Sequence, residues 1–401
     1  MYRPLTVDDE IIAVIREYLE RERLGENVRE EASRELRRYL VRTCDGSYTL
    51  PSQKVSGKSE TMHTVHGAIT EAYEKFVKPL QLENRDTIRV LDICSGLGYN
   101  SAALIDHIRA DNIVIHMIEV SPEVIFAGVL VPSPISTHRI IKRAYEEWLF
   151  ENGWVHFQMI STKIPENISI EVFCEDARQV LPSLPQGYYN AIFLDAFSPD
   201  KTPELYTLEF IMELARVIKD DGILTTYTSA APVRSAMIEA GFHVGEGPSF
   251  GRRGGTIASP SKVIKDLSWT DERMIALSDV GIPYTDPSLT DSRDRIIERR
   301  KKERRTVRNT RRLSSTVRTP LYLGKDLKGG KYDHRILKNL RKFGIKDGLS
   351  KEALYVICPQ YSDCICGCGL SRLSSSRDRI LEMRNRLESL STGKLNVRNK
   401  E

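Results

Sequence analysis

The 401-residue sequence predicts an α/β fold built on a mostly parallel sheet, followed by a helical, basic C-terminal extension. Three observations carry that expectation. Four short runs rich in Ile and Val, IRVLDIC (88–94), NIVIHMIEV (112–120), ISIEVFCED (168–176) and YNAIFLDAF (189–197), read as buried strands. Helical patterns lie between them, such as Ser101 to Arg109 and Glu204 to Ile218, so strand and helix alternate as parallel strands require. Beyond Pro260 the rhythm stops and charge takes over: from Arg293 to Lys346 stand about 20 Lys/Arg against about 5 Asp/Glu.

Taken in order, residues 8–42 set Ile11, Ile12, Val14, Ile15, Tyr18 and Leu19, then Leu36, Tyr39 and Leu40, among charges, which predicts helices. The string DGSYTL from Asp45 to Leu50 predicts a hairpin or strand, and Ala68 to Leu80 a helix. After the four runs, GILTTYTS (222–229) and Phe242 to Gly245 predict two more strands, separated by a helix from Pro232 to Ala240. The tail predicts a charged helix from Asp291 to Arg312, a Gly/Lys-rich loop from Gly324 to Tyr332, short helices, and a last helix from Arg377 to Leu390. The expected organisation is an N-terminal helical segment (1–44), a central catalytic domain (45–260) and a basic, cysteine-containing extension (261–401).

Composition excludes several classes. A hydrophobic share of 40% suffices for a core. No run approaches the ~18 apolar residues of a membrane span, and the start, MYRPLTVDDE, lacks a signal-peptide pattern, so a cytoplasmic protein without a membrane partner is expected. Cysteines number seven, and Cys44, Cys94 and Cys174 lie far apart, which favours reduced thiols over a disulfide framework.

The chemistry concentrates at predicted strand ends. DICSGLGYN joins a strand to a helix: glycines at Gly96 and Gly98 let the backbone approach a ligand, and Asp92, Ser95 and Asn100 flank them. Glu119, about 20 residues on, ends the next strand, where a carboxylate takes both ribose hydroxyls of a nucleoside cofactor. Glu175, Asp176 and Ala177 end the third, where an acid accepts the adenine amino group. Asp195 opens DAFSPDKTPELY at the end of the fourth, placed to orient or deprotonate an amine acceptor. Phe197, Tyr206 and Tyr227 either line the pocket near a cationic centre or pack the core.

From about Asp45 to Ser259 the sequence resembles the methyltransferase domain of the tRNA wobble-uridine enzymes that form 5-methylaminomethyl-2-thiouridine. The residues that carry the resemblance are Asp45-Gly46-Ser47, Glu60-Thr61-Met62-His63-Thr64-Val65-His66-Gly67-Ala68 with Glu71, the glycine loop ending at Asn100, DAFSPDKTPELY, TYTSAAPVR and PSFGRRGG. It implies a Rossmann-like class I methyltransferase fold, S-adenosylmethionine as cofactor, and methyl transfer to an aminomethyl nitrogen on C5 of a tRNA wobble uridine. It further implies that Glu60, His66 and Gly67 border the cofactor, that Asp195 borders the acceptor, and that Arg252 and Arg253 lie near RNA. A second dinucleotide fingerprint is absent, so a separate amine-forming enzyme is an expected partner, and a different base or a different amine stays open as the methyl acceptor. The alternatives are an aminopropyltransferase resembling spermidine synthase, suggested by LDAF and LYTLEF, and a non-catalytic RNA-binding protein on the same fold.

Three features stand apart from the sheet. His63 and His66 form a His-x-x-His pair with no third ligand nearby, so packing on the cofactor suits a histidine there better than metal binding, an ordinary surface role being the alternative. The segment 291–312 lacks interleaved aromatics, which favours phosphate contact, tRNA above all, over base stacking, a plain solvated helix being the alternative. Cys358, Cys364, Cys366 and Cys368 form a metal-ligand candidate whose spacing matches no common zinc or iron–sulfur run, leaving a redox pair or surface thiols open.

Overall fold

The computed structural model describes residues 4–82, 85–250, 254–261, 265–326, 330, 332–370 and 372–392. Two compact units emerge: the first comprises 1–205, 213–228 and 247–260, the second 206–212, 229–246 and 261–401.

In the first unit a small antiparallel pair, β1 (Val41–Arg42) and β2 (Tyr48–Thr49), precedes the main sheet. That sheet contains β3 (Thr87–Ile93), β4 (Asn112–Ile118), β5 (Ile168–Phe173), β6 (Tyr189–Leu194) and β7 (Ile218–Thr226). The short β8 (His243–Glu246) belongs to the second unit, and β9 (Thr256–Ser259) returns to the first. The strand order in the first unit is β5-β4-β3-β6-β7-β9. The chain builds outward from β3 through β4 to β5, then crosses back to place β6 on the other side of β3. Val90 of β3 pairs with Ile115 on one side and Ala191 on the other, all parallel. The crossover makes the gap beyond the carboxyl ends of β3 and β6 the place where loops diverge and a ligand fits.

Sequence dictates these elements simply. The residues of β6 are all buried, as a strand covered on both faces demands. Ser121 caps the helix Pro122–Leu130, whose proline at the first turn needs no amide partner there. Helix Asp9–Arg23 is capped by Asp8 and buries Ile11, Ile12, Ile15 and Leu19 on one stripe, the periodicity visible in the sequence.

The structure departs from expectation at four elements. ISIEVF does not form a fully buried strand: β5 is at the sheet edge, and of its residues only Val172 is buried. The stretch 68–80 is not one regular helix; it passes from α (Ala68–Glu71) through π (Ala72–Val77) to 3₁₀ (Lys78–Leu80), where Pro79 cannot donate its own bond. The expected helix 204–218 starts with a separate 3₁₀ turn, Pro203–Tyr206, before Leu208–Val217, and Ile218 already belongs to β7. An additional strand, β9, runs antiparallel to β7, with Leu224 opposite Ala258.

The second unit contains the helices Ala231–Glu239, Trp269–Leu277, Arg293–Val307, Asp333–Leu340, Lys351–Ile357 and Ser376–Ser391. Its basic helix, Arg293–Val307, buries only Ile296 and Val307. Arginines fasten it instead. Arg304 and Arg308 reach Asp279 at 3.0 and 2.9 Å, Arg295 and Arg299 pair with Asp291, and Arg300 donates to the carbonyls of Ile282 and Val280. Lys301, Lys302 and Arg305 remain exposed on the far face. Among the described residues no helix is long and apolar enough to cross a membrane.

Candidate active site

The strand ends of the first unit open into a cavity of about 1160 Å³ that includes its solvent-facing mouth. Its wall takes Ser95, Gly96 and Asn100 from the glycine loop, Glu119 after β4, Asp176 and Ala177 after β5, and Asp195 after β6. Four loops that follow four parallel strands therefore meet, because parallel strands put their carboxyl ends on the same edge.

The turn after β3 is shaped by backbone. Gly96 and Gly98 have φ of +53° and +84°, a region that side chains resist. The two glycines do different work. Gly96 faces the cavity and donates its amide to Glu119 Oε2 at 3.1 Å. Gly98 lies behind the wall, where a Cβ would come within 2.5 Å of Ile141 Cγ2, so it permits close packing. Cys94, also at positive φ (61°), lines the cavity between them and the strand.

The acids differ in how they are held. Glu119 accepts amides from Gly96, Val120 and Ser121, yet burial pushes its carboxyl up to about 7. Asp195 accepts from Asn100 Nδ2 at 2.9 Å, and burial pushes it up to about 8. Asp92 is fully buried behind the wall; Ser101 donates to its Oδ2 at 2.6 Å, its Oδ1 has no partner, and burial pushes it up to about 6. Asp176 caps the following short helix and is gripped by Arg178 at 2.7 Å. Glu60 accepts from Ser198 Oγ at 2.7 Å and from its amide at 3.3 Å, pinning the loop after β6.

Of the residues expected from sequence, Glu60, Ser95, Gly96, Asn100, Glu119, Asp176, Ala177 and Asp195 lie together on the wall; Asp92, Gly98, His66 and Gly67 do not line it. His66 is exposed, its ring 6.1 Å from Phe250, whereas His63 lines the cavity beside Tyr99, with burial pushing it down to about 4. Gly67 has φ +139° and would bring a Cβ to 2.2 Å from Asp45 Oδ2. Phe197 and Tyr227 line the cavity; Tyr206 is fully buried and does not. Arg252 and Arg253 lie outside the described residues. The wall also includes Leu5 and Thr6, which no motif marks, and Met62 and Glu204, which stand inside sequence motifs but had no expected role.

Among the described residues the wall carries seven carboxylates (Glu60, Glu71, Glu119, Glu175, Asp176, Asp195, Glu204) and no lysine or arginine. Such a donor set repels phosphate and suits a ligand with hydroxyls, an amino group and positive charge. Residues 136–261 match the family described as S-adenosyl-L-methionine-dependent methyltransferase. An uncharacterized protein of Methanocaldococcus jannaschii is 33% identical over 344 residues, 84% of this chain and 92% of that protein. The solved structure of MnmC2 from Aquifex aeolicus is 27% identical, covers 74% of this chain and 99% of its own, and has a TM-score of 0.54. The chain belongs to the S-adenosyl-L-methionine-dependent methyltransferases.

This methyltransferase is of the MnmC type. The tRNA 5-methylaminomethyl-2-thiouridine biosynthesis bifunctional protein MnmC of Pseudomonas syringae pv. syringae is 32% identical over 150 residues, 36% of this chain. That match spans 19% of the bifunctional protein's length, against nearly all of the archaeal relative's. S-adenosylmethionine fits the donor set of the wall: a sulfonium and an ammonium meet carboxylates, and although Arg178 holds Asp176 and Lys75 holds Glu71, neither cation lines the wall itself.

Proposed function

We propose that this methyltransferase N-methylates an aminomethyl group on C5 of a tRNA wobble uridine. The observation that supports it most is Asp195: a strand-end carboxylate on the cavity wall, held by Asn100, with no cation beside it on that wall. The name of the Pseudomonas relative supports the substrate. When bound, the cofactor supplies an electrophilic methyl group on a sulfonium. Glu119 holds the ribose hydroxyls, Asp176 and Ala177 border the adenine, and the glycine loop with Ser95, Gly96 and Asn100 bounds the remainder. Glu60 sets the loop that carries Asp195. His66 and Gly67 shape the segment leading into the site, and Asp92 with Gly98 fixes the glycine loop from behind.

An amine attacks carbon only when unprotonated. Asp195 would take the proton from the substrate ammonium and pass it to solvent, leaving the nitrogen free to accept the methyl group that the bound cofactor would supply. A carboxylate whose affinity for protons is raised to about 8 is matched to an aliphatic ammonium better than an ordinary aspartate.

The division of labour follows the expected organisation: 45–260 carries out the transfer, 1–44 packs beside it, and the basic extension 261–401 holds tRNA through phosphates. Lys301, Lys302 and Arg305 are among its exposed cations. A separate enzyme then forms the amine.

The test is incubation with tritiated S-adenosylmethionine and tRNA bearing 5-aminomethyluridine, followed by nucleoside mass spectrometry. Label on the wobble nucleoside is expected; label on polyamine or protein instead would overturn the substrate.

A further inference from the structure

The second unit gathers Cys358, Cys364, Cys366 and Cys368, their sulfurs all within 4.8 Å of one another. Neighbouring pairs stand at 3.7 to 4.0 Å: Cys364–Cys368 at 3.7 Å, Cys358–Cys364 and Cys364–Cys366 at 3.9 Å, Cys358–Cys368 at 4.0 Å. Four ligands tetrahedral about zinc at ~2.3 Å put sulfurs ~3.8 Å apart along each edge. Disulfide sulfurs would sit at ~2.0 Å. An iron–sulfur cluster spreads its thiolates over separate irons, further apart than these.

The chain is shaped to hold this arrangement. Cys358 follows the helix Lys351–Ile357 and is buried, fixing one ligand in the fold. The other three come from a single turn, and Gly367 and Gly369 at φ of 87° and 78° reverse the backbone around Cys368. The amide of Gly369 donates to Cys364 Sγ at 3.2 Å, a bond that orients a thiolate ligand. Arg386, only 3% exposed in its side chain, comes from the helix Ser376–Ser391, with Nη1 at 3.8 Å from Cys368 Sγ. Four thiolates on one divalent ion leave a charge of −2, and the guanidinium of Arg386, shared with Glu382 at 2.7 Å, stands beside it. Next to Cys358, buried Gln360 accepts from Arg273 and donates to Glu272 and to the carbonyl of Trp269, clamping the turn onto a third helix.

We propose that Cys358, Cys364, Cys366 and Cys368 bind one structural zinc ion that ties the 358–369 turn to the helices of the C-terminal unit. All four tetrahedral positions are taken by protein, so the ion has no open position for catalysis. The site is independent of the methyltransferase cavity and of the tRNA reading.

The test uses the full-length protein purified without added metal and analysed by mass spectrometry of its metals and by zinc-edge X-ray absorption. Close to one zinc per chain is expected, surrounded by four sulfurs at ~2.3 Å. Iron with acid-labile sulfide, a Cys–Cys disulfide in the fresh protein, or four free thiols with no metal would each overturn the proposal. Cys364→Ser should reduce bound zinc at least tenfold, and Cys44→Ser should leave it unchanged. If the Cys364 variant does not fold, chelation of the wild-type protein followed by cobalt replacement gives the same answer through the thiolate-to-cobalt absorption, whose absence would count against the site.

Discussion

Three buried acids around the cavity of the first unit and two buried acids of the second behave oppositely. On and behind the wall of the first, Asp92, Glu119 and Asp195 are held by neutral donors, and burial raises all three toward neutrality. In the second, acids are met by arginine. Glu272, fully buried, bonds Arg379 at 2.6 Å, and burial opposes ionisation of Asp279, yet Arg304 and Arg308 keep its carboxyl below the usual range. An acid held by neutral groups retains capacity for a positively charged ligand; an acid paired with a guanidinium has spent it on the fold. The first unit uses both modes: Glu22 and Glu146 are paired with Arg29, and Asp176 with Arg178, so neutral donors mark Asp92, Glu119 and Asp195 rather than the whole unit.

The strongest way to break that comparison is the same acid-to-amide exchange in each unit. Asp195→Asn should lower kcat by about 10²- to 10⁴-fold while leaving S-adenosylmethionine affinity within a few-fold, measured by single-turnover transfer and calorimetry. It should also raise the melting temperature at pH 8, because it removes a charge that burial penalises. Full turnover by the variant would remove Asp195 from the chemistry. Glu272→Gln should do the reverse: transfer chemistry is untouched at the site, but the second unit loses about 3 kcal/mol, since Arg379, 1% exposed, is left without its closest counter-ion. Denaturant unfolding checks it, and a change under 1 kcal/mol would show that the pairing is not what holds these helices.

Glu119→Gln comes next in size. An amide keeps the shape but loses a charged acceptor, so S-adenosylmethionine affinity should fall about tenfold, by about 1.4 kcal/mol. In the wild type the same affinity should weaken as pH drops below about 7, because the carboxyl then becomes protonated.

Stability against pH sharpens the contrast further. The folded forms of Asp92, Glu119 and Asp195 hold protons at pH values where the unfolded chain has released them. The contribution of these three acids to the stability of the ligand-free first unit should therefore decline as pH rises from about 4 toward about 8, while His63 and His138, pushed down to about 4 and about 3, contribute in the opposite sense below about 6.5. For Asp279 the sign reverses: its contribution is present above the ordinary aspartate value and is lost as pH falls through its lowered one. Hydrogen exchange at pH 6 and 8 should show faster opening of the β3 and β6 ends at the higher pH; uniform protection would refute the burial argument.

Much of this was legible in the sequence, for physical reasons that also explain the gaps. Apolar runs make β3, β4 and β6 stand out, although only β6 is buried along its whole length and β4 leaves Asn112, Val114 and His116 less covered, and acids directly after β4 and β6 mark the wall at Glu119 and Asp195. At β5 the alternation of Ile with Ser and Glu marked an edge strand that a run-based reading took as buried. Four residues suffice for β9, too few for periodicity to show. Helix Pro122–Leu130 buries seven consecutive residues, Glu123 to Val129, and so lacks an amphipathic stripe. Leu5 and Thr6 reach the cavity from a segment remote from the glycine loop, and only tertiary structure brings them there. The cysteine spacing fits no common ligand pattern, although the folded turn brings the four sulfurs together.

The smallest expected effect lies on the basic helix. Most of its arginines are already engaged within the second unit, so its contribution to tRNA binding rests on a few exposed cations rather than on its formal charge. Replacing Lys301 or Lys302 by Ser should weaken tRNA binding only a few-fold each at moderate salt and lower the slope of log affinity against log salt by about 1, the signature of one lost phosphate contact. Arg304→Ser should leave that slope unchanged and instead lower stability, because its guanidinium belongs to Asp279. If Arg304 proved to govern the salt slope while Lys301 and Lys302 did not, the helix would meet RNA through the face now read as structural.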